Sequence, residues 1–252
     1  EYVSKEFERY IPKLHGTYIN PEREAYLLLL ENLNNSQVEL MNTQGELELW
    51  TKSTRELIYN AISKIHTHFS DSEEVMHSSL NTGKTNIDQE LSKSILTYVR
   101  AQNYIDSQTE LKINDILSDS MNWMKIIDNG PKTLTHNDFN PRNMCFKDGR
   151  PCFYDWELSR FNSPFRDLVE FMSFTTPTQD IESDIEFFTN SDATKLSKKE
   201  KYENILACAK EYLLNRVLFY YVGHSVNEYE FMPYVFNKTL EIIDFLENKL
   251  DE

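Results

Sequence analysis

Glycine is scarce, with 6 in 252 residues. No G-x-G-x-x-G turn and no G-x-x-x-x-G-K-[S/T] loop occurs, so the glycine-rich phosphate cradles of dinucleotide-binding and P-loop proteins are excluded. Cysteine is scarcer still. Cys145, Cys152 and Cys208 form no C-x-x-C pair, and their odd number argues against a disulfide framework and for a reduced, cytoplasmic setting. No apolar run approaches membrane-spanning length and no signal-peptide pattern is visible, so no membrane partner is expected. Cations are in deficit. Lys and Arg number 26 against 41 Asp and Glu, a formal charge of -15. Such a surface repels phosphate backbones, so nucleic acid is not an expected partner, whereas a cationic small molecule would suit it.

What is present is a chain able to build a core. It is 40% hydrophobic and 13% aromatic, outside the disordered class, and long enough for one large domain or two small ones. The run "YLLLLENL" at 26–33 suits a buried strand ended by Glu31-Asn32. Ser53 with Glu56 makes a capping-box pattern before a helix to about residue 69, on which Leu57, Ala61 and Ile65 join Ile58, Ile62 and Phe69. A polar stretch, 70–88, reads as a loop, and 88–127 as two helices stopped by Gly130-Pro131. Ser197 with Glu200 caps a long helix of about 25 residues, and 234–250 closes the chain as another. Between the helical parts, "MCF" (144–146) and "CFY" (152–154) flank "KDGR". Asp-Gly between two short apolar runs is a strong hairpin signal, because tight hairpin turns need positive φ.

That hairpin has a chemical consequence. Asn143 precedes its first strand and Asp155 follows its second, so the two side chains become neighbours. An amide oxygen beside a carboxylate is a hard-oxygen site suited to Mg²⁺. Asp138 lies on the connecting loop "THNDFNPRN" (135–143), positioned to take a proton from a hydroxyl that attacks a phosphate. Metal, aligned phosphates and a base are the parts that phosphoryl transfer needs. Taken alone, Asp138 and Asn143 also suit the Asx turns of an ordinary polar loop; the hairpin and Asp155, a carboxylate between Tyr154 and Trp156, weigh against that.

The pattern H-x-D-x-x-x-x-N, a hairpin, then Asp resembles the core of protein-kinase-like enzymes. "LTHNDFNPRNMCF" and "CFYDWELS" are similar to the aminoglycoside phosphotransferase and choline/ethanolamine kinase superfamily, and not to eukaryotic protein kinases, whose Asp-Phe-Gly and Ala-Pro-Glu segments are missing. "FRDLVEF" (165–171), "LLLLENL" (27–33) and the helix carrying "ISKIH" extend the resemblance over roughly residues 12–175. It implies an α+β, mostly helical fold: a kinase-like C-lobe (34–252) with catalytic loop 135–157, and a remnant of the N-lobe and hinge over 1–33. It implies that Asp138 is the catalytic base, that Asn143 and Asp155 hold Mg²⁺, and that His136 and Asp167 brace the loop. The backbone at Glu31, Asn32 and Leu33 would receive the adenine of ATP. The acceptor would be a hydroxyl of a small molecule such as an amino alcohol or an aminoglycoside.

One departure from the family pattern concerns the N-lobe. Only about 26 residues precede the hinge strand, and none of them can be the phosphate-pairing strand lysine; Glu1 or Glu6 is the candidate for its helix glutamate. The chain therefore reads as a C-lobe whose N-lobe lies upstream in a longer polypeptide, or else as a non-catalytic nucleotide-binding or scaffold module. An upstream glycine-rich turn and lysine would separate the two. Around the core, Arg142 is expected to face solvent, and Glu157 suits either a site neighbour or a surface ion pair. His66 is expected to be buried and hydrogen-bonded, and the cysteines to be packing residues. The acidic run "DIESDIEFF" (180–188) is expected to be a solvated helix face or the lining of an amine pocket. Phe219, Tyr220, Tyr221, Tyr229, Phe231 and Tyr234 are expected to be helix core or a frame for a cation.

Overall fold

A computed structural model describes residues 7–34, 38–40, 49–70, 85–191, 194–227 and 229–252. Glu1, Glu6 and most of the 70–88 loop lie outside these residues. The first sheet pairs β1 (Leu14–Asn20) with β2 (Ala25–Leu30) antiparallel. A turn at Pro21–Arg23 joins them, capped by Asn20, whose side chain accepts from the Arg23 amide at 3.1 Å. The leucine run was expected to be buried and is not. Leu27, Leu28 and Leu29 are 60–65% exposed, because the described part of this sheet has two strands and no layer packed over either face.

Strand β3 (Val38–Leu40) then lies beside the later hairpin. Helix α1 (Lys52–His68) starts two residues earlier than the capping-box pattern implied. Thr51 is the cap, accepting from the Thr54 amide at 3.3 Å, and Ser53 is already helical. Its inner face buries Ile58, Ile62 and Ile65, while Leu57 is exposed. Three helices, not two, fill the next segment: α2 (Gln89–Ala101), α3 (Ser107–Ser118) and α4 (Ser120–Asn129). Asp88 and Asp106 cap the first two through the amides of Leu91 and Thr109. Asn103, with φ +58°, turns the chain between them, a left-handed conformation that asparagine tolerates well.

Strand β4 (Thr133–Thr135) leads into the polar loop, followed by the hairpin of β5 (Met144–Lys147) and β6 (Arg150–Phe153). Asp148 and Gly149 have φ of +51° and +71°. Positive φ at both central residues is the turn type that Asp-Gly favours. Cys145 and Cys152 face each other across the ladder, and all three cysteines are buried and free. Strand β7 (Arg160–Asn162) pairs with β4.

Helix α5 (Phe165–Thr175) is buried along its entire length and is the axis of the core. Helices α6 (Ile181–Ser191), α7 (Lys198–Tyr212), α8 (Leu218–Asn227) and α9 (Met232–Asp251) complete the helical part. The Ser197–Glu200 capping box forms as expected. Helices α7 and α8 run on as one rod interrupted by a π-helical turn at Leu213–Val217. The acidic run is only half solvated. Asp184 turns inward and, with Asp180, holds the buried Arg55 of α1 at 2.6 and 2.7 Å; Glu186 faces outward to Lys198. Four-residue spacing puts Asp180 and Asp184 on one side of the segment, and a buried cation draws them in.

Candidate active site

The polar loop is held by the first turn of α5. Asp167 is fully buried and accepts three hydrogen bonds: from the amides of His136 (2.9 Å) and Asn137 (2.8 Å) and from the His66 ring (2.9 Å). Burial pushes its carboxyl upward, but the His66 hydrogen bond, the two histidines and the Asn137 amide prevail and hold it below the usual range. His66 is thus the buried, hydrogen-bonded histidine expected. The His136 ring meets the Tyr154 carbonyl at 2.9 Å and packs on Trp156 at 4.5 Å, which links the loop to the hairpin's exit.

Asn137 is left-handed, φ +62°. Its amide is fixed by Asp167 and its carbonyl accepts from Arg216 Nη2 at 2.9 Å. A residue in this region costs energy and persists only where its surroundings over-determine it. The result is to present Asp138. Asn143 donates its amide hydrogens to Asp138 Oδ2 (2.6 Å) and to the Asp138 carbonyl (2.8 Å). Asn140 donates to Asp138 Oδ1 at 3.2 Å, and Arg216 Nη2 stands 3.8 Å from the same oxygen. Phe139 turns inward onto Phe153 and Phe171, anchoring the loop in the core.

The hairpin does bring its ends together: the Tyr154 amide donates to the Asn143 carbonyl at 3.0 Å. Asp155, the next residue, is exposed and left-handed at φ +64°. With its amide hydrogens engaged by Asp138, Asn143 has Oδ1 as its remaining side-chain polar atom. Among the described residues no group of three or more His, Cys, Asp or Glu forms a metal cage.

Glu31 lies at the other end of the hairpin, where its carboxylate pairs with Lys147 and accepts from the Lys13 amide at 3.2 Å. The Lys147 hydrogen bond lowers its pKa. Asn32 Oδ1 accepts from the Asn34 amide at 3.0 Å, and Leu33 is half-buried. This segment is tied to the turn of the hairpin, and Asn143 and Asp155 lie at its open end.

Sequence reasoning missed several residues here. Arg216 carries the strongest signal in retrospect, as a charge inside the apolar run "LLNRVLFYYV", because a buried charge demands a partner. Beneath the loop, Arg166 is buried between Glu170 (3.0 Å) and Glu211 (2.8 Å). Arg142 does not simply face solvent; its Nε donates to Asn140 at 3.2 Å and its guanidinium lies 5.6 Å from the Phe231 ring.

The model of the phosphotransferase enzyme family matches residues 85–194, which include the whole loop and hairpin. No curated protein matches in sequence. The fold is similar to choline kinase LicA from Streptococcus pneumoniae, at 15% identity and a TM-score of 0.53, over 94% of this chain and 75% of that one. It is similar also to choline kinase from Cryptosporidium parvum (11%, 0.57, covering 100% and 80%). A thermostable mutant of aminoglycoside phosphotransferase APH(4)-Ia is a third (12%, 0.55, covering 97% and 80%). Among the described residues no helix is long and apolar enough to cross a membrane. The family model thus matches the segment that carries the loop and hairpin, and the fold as a whole is the kinase-like fold of the choline kinases and aminoglycoside phosphotransferases it is similar to.

Proposed function

We propose that this chain transfers the γ-phosphoryl group of ATP to a hydroxyl of a small molecule. The observation that carries the reading is the hydrogen bond from Asn143 to Asp138 at the open end of a hairpin whose second strand delivers Asp155. Asn143 Oδ1 and the Asp155 carboxylate would hold Mg²⁺. Two protein oxygens are enough for an ion that keeps waters and phosphate oxygens in its shell. When bound, Mg²⁺ supplies charge neutralisation and alignment of the phosphates.

The remaining roles belong to the chain's own residues. Asp138 would orient the acceptor hydroxyl and take its proton, with its carboxylate fixed by Asn143 and Asn140. His136 and Asp167 would keep the loop in register. The Glu31–Leu33 backbone would receive the adenine. Between that end and Asn143 lie the four residues of β5, roughly 13 Å at about 3.3 Å per residue, a length that an extended nucleoside triphosphate spans. Two of the similar proteins support nucleotide use: LicA is solved with AMP, and an APH(4)-Ia mutant with ADP and hygromycin B. Transfer would be direct and in line, with no covalent intermediate.

The test is ADP release by the full chain with Mg·ATP over a panel of hydroxylated small molecules. Asp138→Asn is expected to lower kcat by about 10²–10⁴, the usual worth of a positioned base, while nucleotide affinity persists. A variant that keeps the wild-type rate would remove Asp138 from the mechanism.

A further inference from the structure

The acidic balance of the whole chain suits a cationic acceptor, but the charged side chain paired with Asp138 is an arginine. Arg216 projects from the π-helical turn, donates to the Tyr220 hydroxyl and the Asn137 carbonyl (2.9 Å each), and sits 3.8 Å from Asp138. Arg142 stands on the same loop beside Asn140. Both arginines lie within electrostatic reach of the Tyr220 phenol, as do Asp138 and Glu170, and Arg216 holds its hydroxyl. Arg160 opens β7 opposite Thr135, lies within electrostatic reach of Glu211 as well as of Arg166 and Arg216, and makes no ion pair within 4 Å among the described residues.

Apart from Asp155, exposed at the end of the hairpin, the nearby carboxylates are matched. Glu170 and Glu211 hold Arg166, and Asp167 holds His66. Asp138 faces Arg216 at 3.8 Å, with Arg142 on the same loop. Three of the aromatic rings that could frame a ligand cation are occupied too. Phe231 faces the Arg142 guanidinium at 5.6 Å and Tyr220 faces that of Arg216 at 5.8 Å. Tyr221 is buried against Phe236. A quaternary ammonium that entered beside Arg216 and Arg142 would meet guanidinium groups on the Tyr220 and Phe231 rings.

We propose that the acceptor carries an anionic group, a carboxylate or phosphate, beside its reacting hydroxyl, and that Arg216 determines this specificity with support from Arg142 and Arg160. A guanidinium has donors to spare for a planar or tetrahedral oxyanion even when some are engaged. The inference rests on the phosphotransfer reading. In the step, the acceptor oxygen bonds to the γ-phosphorus and the bond from that phosphorus to the β,γ-bridging oxygen breaks. ADP leaves with the bonding electrons, and the hydroxyl proton passes to Asp138.

The experiment uses the full chain with Mg·ATP and four kinds of probe: hydroxy acids (glycerate, malate, gluconate), glycerol 3-phosphate, neutral glycerol, and cationic choline. Each is assayed for transfer and, without nucleotide, for binding by calorimetry. At least one anionic class is expected to exceed choline and glycerol tenfold in kcat/KM, and which one separates carboxylate from phosphate. Arg216→Gln is expected to raise KM for that anion tenfold more than it raises KM for glycerol, with partial rescue by Arg216→Lys; a purely structural role, through Asn137, would move both KM values alike. Preference for choline, or an unchanged KM in Arg216→Gln, overturns the proposal, as does the absence of any anion binding. Arg216-dependent anion binding without transfer to any probe would uphold the anion site and count against phosphotransfer instead.

Discussion

Replacing Asp167 by Ala removes the single acceptor for three donors. The carboxylate is fully buried and takes the amides of His136 and Asn137 and the ring of His66. Water does not reach this position, so both backbone N–H groups become unsatisfied. Each orphaned group costs about 1–3 kcal/mol, roughly 2–6 kcal/mol together, a large part of a typical stability of about 5–15 kcal/mol. For a chain of this size that corresponds to a fall in Tm of about 4–24 °C. Asp167→Asn keeps one acceptor oxygen, so at least one of those amides is orphaned and the cost is about 1–3 kcal/mol. The carboxyl titrates below its unfolded value. Its stabilisation is therefore fully present above about pH 4 and is lost as pH falls through the lower folded value. Urea denaturation of wild type and both variants from pH 7 down to 3 is the assay. The gap between wild type and Asp167→Asn should be widest at neutral pH and close in acid. A cost under about 1 kcal/mol for the alanine variant, or a gap that widens in acid, would refute the reasoning.

Two further perturbations probe the frame. Arg55→Ala leaves Asp184 buried, with Tyr59 and Thr176 as its remaining hydrogen-bond partners. The expected loss is about 3–5 kcal/mol, as for any half-broken buried ion pair, and a midpoint in urea near the wild-type value would contradict it. Gly149→Val forces a β-branched side chain to φ +71° in the hairpin turn. A destabilisation of about 1–2 kcal/mol is expected from that conformation alone, since open space surrounds the position; thermal unfolding measures it.

What was legible in the sequence was local chemistry. The Asp-Gly turn fixed the hairpin, and the hairpin fixed the meeting of its ends, where the Tyr154 amide reaches the Asn143 carbonyl, because both follow from neighbouring residues. The Ser197–Glu200 box was readable for the same reason. The support for the loop was only half readable. His66 and Asp167 each carried an expected role, but their meeting is a contact across 101 residues. Arg55 and Asp184 lie 129 residues apart, and helical periodicity cannot tell an acid turned to a buried arginine from one turned to water. The leucines of β2 misled because an apolar run reports what could be buried, not what lies over it. The break between α2 and α3 rests on Asn103 and Asp106, ordinary polar residues until their backbone is seen. Arg216 was missed because its aim depends on a π-helical turn, and no short pattern announces one.

The central claim is that the open end of the hairpin binds a metal–nucleotide pair. Calorimetry of Mg·ATP on the full chain and on Asp155→Ala tests it most directly, because Asp155 is exposed and its truncation leaves the core intact. Binding that requires magnesium and disappears in Asp155→Ala is the predicted result. Binding that survives both chelation of the metal and loss of the Asp155 carboxylate would contradict it.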